Sequence, residues 1–159
     1  MTPTSRRATI NDVPDLVRLY RRLEAEQTAL KKMWPVADGL AEPVDQSLRS
    51  ILSDDESVVS IGEIDSVVLG FAWGRREALL PQAGGAMIGS VRLIYTEEEA
   101  RGVGVGHEMV TLVLDELRSR GVTLFDAYVS PGHRHAKNFF EAHGFSARRI
   151  AMHHDDADD

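Results

Sequence analysis

The stretch from Gly89 to Arg120, GSVRLIYTEEEARGVGVGHEMVTLVLDELRSR, constrains this chain most, because it sets a strand, a glycine turn and a long helix in one continuous run. Val91, Leu93, Ile94 and Tyr95 form an apolar, β-prone segment, and Val110, Val113, Leu114 and Leu117 then mark one face of a helix. Leu93 and Ile94 interrupt the alternation as a bulge does, and a bulge there splays the strand from its neighbour. Gly102, Gly104 and Gly106 leave the backbone without Cβ atoms where it curls into the helix. Successive N–H groups can then converge on an anion at the positive end of the helix dipole. The G-x-G-x-G spacing fits neither the dinucleotide fingerprint nor a nucleotide-triphosphate loop, which needs a following Lys-Ser/Thr pair.

The length of 159 residues suits a single domain, read as residues 1–154 with an acidic tail at 155–159 that is expected to be disordered. The net charge of −7 owes four negatives to Asp155, Asp156, Asp158 and Asp159. The small remainder argues against a nucleic-acid surface and mildly favours cationic small molecules or basic peptides. No run is apolar and long enough to span a bilayer, and no apolar signal segment follows MTPTSRR, so no membrane role and a cytoplasmic setting are expected. Without cysteine, disulfides, thiolate metal sites and an acyl-cysteine intermediate are excluded.

In chain order, Arg6 to Ile10 reads as an edge strand, and Asn11 or Asp12 caps a helix with Pro14 in its first turn. Val13, Leu16, Val17, Tyr20 and Leu23 form that helix's apolar stripe. The Lys31 to Pro43 segment breaks regular structure around Trp34, which is either a lid over a pocket or a plug at the core edge. A short helix from Val44 to Leu52 follows. Ser57 to Ile64 and Val67 to Arg76, joined by Asp65-Ser66, read as a hairpin. Past the long helix, Gly121 is the stop, Val122 to Val129 a parallel strand, His133 to His143 a helix closed by Gly144, and Phe145 to His153 a last strand.

Two motifs carry a resemblance. Arg101-Gly102-Val103-Gly104-Val105-Gly106 resembles the Arg/Gln-x-x-Gly-x-Gly/Ala signature of the GCN5-related N-acetyltransferase (GNAT) superfamily. His133, Ala136, Phe140, Gly144 and Phe145 fall on that family's later pattern, Asn-x-x-Ala-x-x-x-Tyr-x-x-x-Gly-Phe, with His133 replacing the asparagine and Phe140 the tyrosine that commonly protonates the departing thiolate.

The resemblance implies an α/β fold, a mixed sheet of six or seven strands flanked by about four helices. It also implies acetyl-coenzyme A as cosubstrate. The turn from Gly102 through Val103, Gly104, Val105 and Gly106 to His107, with Arg101, would hold the pyrophosphate. Ile94, Tyr95 and Thr96 would pair with the pantetheine arm, near His133 and Phe140, and the Thr96 N–H would polarise the thioester carbonyl. The implied function is direct acetyl transfer to a primary amine of a small molecule or peptide. A non-catalytic acyl-coenzyme A binding or regulatory module of the same fold is the alternative, and a nucleotide-binding domain with a mostly parallel sheet is a third reading.

With no proton on Phe140, Tyr128 is the first candidate acid, at a strand position where some relatives carry a glutamate. His133 and His135 follow as proton shuttles. Glu63, Glu77 and Glu97 to Glu99 are all open as the base. His153 and His154 are adjacent in an expected strand and point apart, so no metal is expected. The acceptor would be chosen by Lys31 to Pro43 and the hairpin ends. With one terminal strand where many relatives have two, a homodimer is expected to close the sheet edge.

Overall fold

The computed structural model describes residues 2–157; Met1, Asp158 and Asp159, and with them part of the expected acidic tail, lie outside it. The chain enters through β1 (Pro3–Arg7), then α1 (Val13–Leu30), the single turn α2 (Trp34–Ala37) and α3 (Val44–Ser53). The hairpin of β2 (Ser57–Ile64) and β3 (Val67–Ala78) precedes β4 (Met87–Thr96), and α4 (Val105–Ser119), β5 (Phe125–Ala127) and α5 (Arg134–Ala142) complete it. The sheet runs β1-β2-β3-β4-β5. Its first three pairings are antiparallel and only β4 and β5 run parallel, which excludes the mostly parallel nucleotide-binding sheet.

Local chemistry explains most boundaries. The Asp12 carboxylate accepts from the Thr9 N–H at 2.7 Å and from both Arg6 guanidinium nitrogens at 2.8 Å. That folds residues 9–12 into a turn that starts α1, so the first strand ends at Arg7 instead of reaching Ile10. Asp65 and Ser66 take φ of 51° and 66°, the left-handed pair a two-residue hairpin turn requires.

Two apolar layers cover the sheet. On one face Leu16, Leu19, Tyr20 and Leu23 of α1 and Leu48 of α3 pack on Ile61, Phe71, Leu93 and Tyr95. Trp34 joins this core at 7% exposure with its ring centroid 6.2 Å from that of Tyr20, so the tryptophan is a core plug and not a lid. On the other face Val105, Met109, Val113 and Leu117 of α4 press on Val58 and Ala72, and Phe140 of α5 joins Val91, Val110 and Leu114. A Cβ on Gly74 would sit 2.4 Å from Val113 Cγ1, so α4 rests directly on the β3 backbone.

The sheet has five strands among the described residues, not six or seven, and five helices counting the one-turn α2. Beyond its turn, the expected Val122 to Val129 strand shrinks to three residues. At one end the Val122 N–H caps α4 by donating to Leu117 O at 3.2 Å, and at the other β4 bends away past Val91. Phe145 docks edge-on to Phe140 with centroids 5.3 Å apart, but residues 146–153 are exposed and form no strand. A three-residue β5 offers too short an edge to hold a ladder, and the segment's only side-chain tie to it is Arg148 to Asp126, at 2.7 Å from Nε.

Candidate active site

The site begins with a bulge in β4. Trp73 pairs with Leu93 but Gly74 pairs with Val91, so Arg92 is the extra residue. It lies one residue before the expected Leu93-Ile94 break. The bulge reverses which backbone groups face which neighbour: before it, Val91 O accepts from Tyr128 N–H on the β5 side, whereas after it Glu97 N–H donates to Leu69 O at 2.8 Å on the β3 side. By alternation Tyr95 also faces β3. Ile94 and Thr96 therefore turn their N–H and C=O groups toward the side where β5 pairs only with Gly89 to Val91.

The second feature is the turn into α4. Gly102 and Gly104 have φ of 84° and 102°, values that only glycine takes without strain. The first helical bond there is Glu108 N–H to Gly104 O at 3.1 Å; among the described residues, no backbone or side-chain acceptor meets the N–H groups of 102–107. The His107 side chain leans away, its Nδ1 donating to His143 Nε2 at 2.9 Å while His143 Nδ1 donates to Phe139 O at 2.8 Å. A row of free amides at a helix start suits an anion with several oxygens.

The third wall is the last turns of α1. Gln27, only 6% exposed, donates from Nε2 to His133 Nδ1 at 3.1 Å and accepts from Ser130 Oγ at 2.5 Å. With Nδ1 occupied as an acceptor, neutral His133 carries its proton on Nε2, which lies 4.0 Å from Glu26 Oε1. Burial pushes the His133 imidazole below its usual value, more than the Glu26 charge raises it. Arg101 bridges the cleft: Nε donates to Thr96 O at 2.9 Å, and Nη1 and Nη2 reach the two Glu26 oxygens at 3.0 and 3.2 Å.

The profile of the acetyltransferase (GNAT) family matches residues 16–145, most of the chain. This chain belongs to that family. A mycothiol acetyltransferase from Thermobispora bispora is 31% identical over 86 residues, which are 54% of this chain and 29% of that protein. The chain thus matches about three tenths of that relative's length. A transcriptional regulator from Bacillus halodurans C-125 superposes with a TM-score of 0.74 at 21% identity, covering 96% of this chain and 99% of that one. A ribosomal-protein-alanine N-acetyltransferase from Brucella melitensis biovar Abortus 2308 gives 0.72 at 15%, covering 98% and 99%. The α/β GNAT fold is therefore the fold of this chain, and it carries an acyltransferase domain.

Of the residues the GNAT resemblance implies, Thr96 and His133 are linked through Arg101 and Glu26, with the 102–107 turn directly after Arg101 and Ile94 on the same open strand edge as Thr96, and other residues lie differently. Tyr95 gives its backbone to β3 and buries its ring under Arg101, 5.4 Å from the guanidinium, where burial also pushes its phenol up. The Arg101 side chain lies on Glu26 and Thr96 and not over the glycine turn. Val103 is 54% exposed, and Val105 is a core residue that contributes only its N–H. Gly106 is small for another reason as well, since a Cβ there would meet the Phe139 ring at 3.0 Å. Phe140 is 3% exposed between α4 and α5, a packing residue. Tyr128, just past β5, is 48% exposed, with the Arg92 guanidinium 5.3 Å from its ring.

His135 is exposed in the first turn of α5, near enough to His133 for its charge to act on that imidazole. Glu63, Glu77 and Glu97 are engaged by Arg6, Arg92 and the Arg18-Arg22 pair. Glu98 and Glu99 are exposed, and no described group of three His, Asp or Glu could hold a metal. Sequence reading missed Glu26, Gln27 and Ser130. Glu26 and Gln27 lie on the polar margin of the α1 stripe and only tertiary packing carries them to the cleft; Gln27 continues that stripe seven residues after Tyr20, the one signal available.

Proposed function

We infer that this chain transfers an acetyl group from acetyl-coenzyme A directly to a primary amine of a small molecule or peptide. The observation that carries this reading is a pair of backbone rows left without secondary-structure partners, the N–H groups of 102–107 and the Ile94 and Thr96 edge of β4, where Thr96 O is held by the Arg101 side chain alone. The first suits a pyrophosphate, and the second suits an amide-rich arm laid along an open strand edge. Bound acetyl-coenzyme A would supply an activated thioester. In this reading the Thr96 N–H stabilises negative charge on the carbonyl oxygen, His133 offers a fixed Nε2–H on the pantetheine side, and Tyr128 donates a proton to sulfur. A chain without cysteine has no thiol for an acyl-enzyme, which favours direct transfer.

One relative is named a mycothiol acetyltransferase and another a ribosomal-protein-alanine N-acetyltransferase, so the acceptor class stays at amines of small molecules or peptides. Cationic acceptors fit the acidic net charge, and the reading includes neither nucleic acid nor membrane. No described helix is long and apolar enough to cross a bilayer, consistent with a cytoplasmic setting. A homodimer belongs to the same reading. The outer edge of β5 has no strand partner among the described residues, and Ile150 and Met152 beyond it are 76% and 90% exposed. A monomeric mass in light scattering at micromolar concentration would remove that part.

The buried phenyl of Phe140 favours the alternative, a binder without turnover, because it has no proton to give. Calorimetric titration with coenzyme A and thiol release across a panel of amines separates the two. The reading expects binding, turnover with at least one amine, and loss of binding in Gly104→Val with the helical circular dichroism retained. Binding without turnover would select the regulatory module. Unchanged affinity in Gly104→Val would remove the glycine turn as the anion site.

A further inference from the structure

Glu26 is a carboxylate at the mouth of the open β4 edge, and both of its oxygens are held by one side chain. Arg101 forms a bidentate pair with it at 3.0 and 3.2 Å. The same guanidinium donates from Nε to Thr96 O, one of the backbone groups facing the open edge. Arg101 is also the residue immediately before the free N–H row of 102–107. One flexible cation therefore stands between a carboxylate, an edge carbonyl and an anion site, and it is engaged by the first two.

Charge decides what happens when an anion with two phosphates approaches that row. An exposed carboxylate pair is worth little, of order 1 kcal/mol or less, because water competes for both partners. Glu26 and Arg101 are 30% and 22% exposed and meet in bidentate geometry, so their pair is stronger than a fully solvated one but remains accessible to water and to a competing anion. A pyrophosphate offers more negative charge and more oxygens in the same bidentate geometry. Its arrival also sets like charge beside Glu26, which further favours parting of the pair.

We propose that Arg101 exchanges Glu26 for the phosphates of the acyl donor, and that the carboxylate so freed is the general base for the acceptor amine. This rests on the acetyltransferase reading above and extends it in two ways. The same swing uncovers Thr96 O, so the open edge and the base become available together. A freed carboxylate at the mouth attracts an ammonium ion, which makes the acceptor a cation and places donor binding before acceptor binding.

The proton and electron count closes. Glu26 takes one proton from the substrate ammonium. The nitrogen lone pair forms the C–N bond to the thioester carbon, and the C–S pair goes to sulfur. The second proton lost by the nitrogen passes to that sulfur through Tyr128 or water, and Glu26 returns its proton to solvent. Neither oxidant nor metal enters. The other nearby carboxylate, Glu97, is 3% exposed and clamped by Arg22 at 2.6 Å and Arg18 at 3.5 Å, so it cannot reach an acceptor.

Coenzyme A affinity by calorimetry and acetyl transfer to a fixed amine, each on wild type, Glu26→Gln, Arg101→Gln and the double variant, test the exchange. Glu26→Gln keeps the side chain's size and removes the competitor, so affinity for coenzyme A should tighten about 3- to 5-fold while kcat falls on the order of 10²-fold. Glu26→Asp should recover part of kcat. Arg101→Gln should weaken binding, and adding Glu26→Gln to it should change affinity no further. Glu26→Gln that leaves coenzyme A affinity unchanged or weaker overturns the exchange, and a kcat within twofold of wild type overturns the base. Failure of wild type to bind coenzyme A at all would instead remove the acetyltransferase reading beneath it.

Discussion

In the proposed reading, two aromatic side chains divide the packing and proton-donating roles of the family's tyrosine. Phe140 packs between α4 and α5, while Tyr128 keeps an exposed phenol beside Arg92. If Tyr128 delivers the proton to sulfur, Tyr128→Phe lowers kcat by about 10² to 10⁴ with little change in coenzyme A affinity, read by steady-state kinetics beside calorimetry. His133 is poorly suited to that role. Its Nδ1 is held by Gln27 and burial disfavours its cationic form, so His133→Ala should mainly weaken binding. A silent Tyr128→Phe with a severe His133→Ala would reverse the assignment.

At the level of elements, the glycines of the central strands let α4 lie close enough for its start to meet the open edge of β4. Gly74 shows the tolerance. A Cβ at 2.4 Å from Val113 Cγ1, on a backbone carbonyl's doorstep at 3.5 Å from Ser90 O, forces either the helix or the valine to move. Gly74→Ala should cost about 1–3 kcal/mol, lowering Tm by roughly 2–4 °C per kcal/mol. Val113→Ala in the same chain should return part of that loss, since it removes the obstructing methyl. Thermal melts of the two single variants and the double variant check this, and strict additivity would show that the clash is not the cause.

Across the whole molecule, stability should respond to acid in two separate windows. His133 has a folded value below its unfolded one near 6.5, so below that pH the unfolded chain binds more protons and stability falls until the folded imidazole also titrates. Asp12 is held below its ordinary 3.8, chiefly by its hydrogen bond to Arg6. Its contribution is complete above about 3.8 and is lost as pH falls through the folded value. Urea unfolding across pH should show a first decline beginning near 6.5 that His133→Asn flattens, and a second near 4 that Asp12→Asn makes shallower, the rest of it belonging to the other arginine-paired carboxylates such as Asp54. A single decline untouched by either variant would refute the assignment.

The fold was legible where the signal was local. The Asp65-Ser66 hairpin, the glycine start of α4 and the stripe on α1 each depend on dihedral preference or periodicity within a few residues, and all three stand where the sequence puts them. The bulge was legible to within one residue from the loss of alternation. The last strand was not, because a strand needs a partner as well as β-prone residues, and β5 is too short to be one. The α1 wall was invisible for the same kind of reason. Glu26 and Arg101 are separated by 75 positions, and only the crossing of α1 over the end of β4 puts one guanidinium between a carboxylate and the strand-edge carbonyl of Thr96. By itself the sequence determined which backbone could bend, where the apolar faces lie and that this chain offers no cysteine thiol. Which charges meet across the cleft was decided by tertiary packing, since a salt bridge depends on distance in space and leaves no periodic mark along the chain.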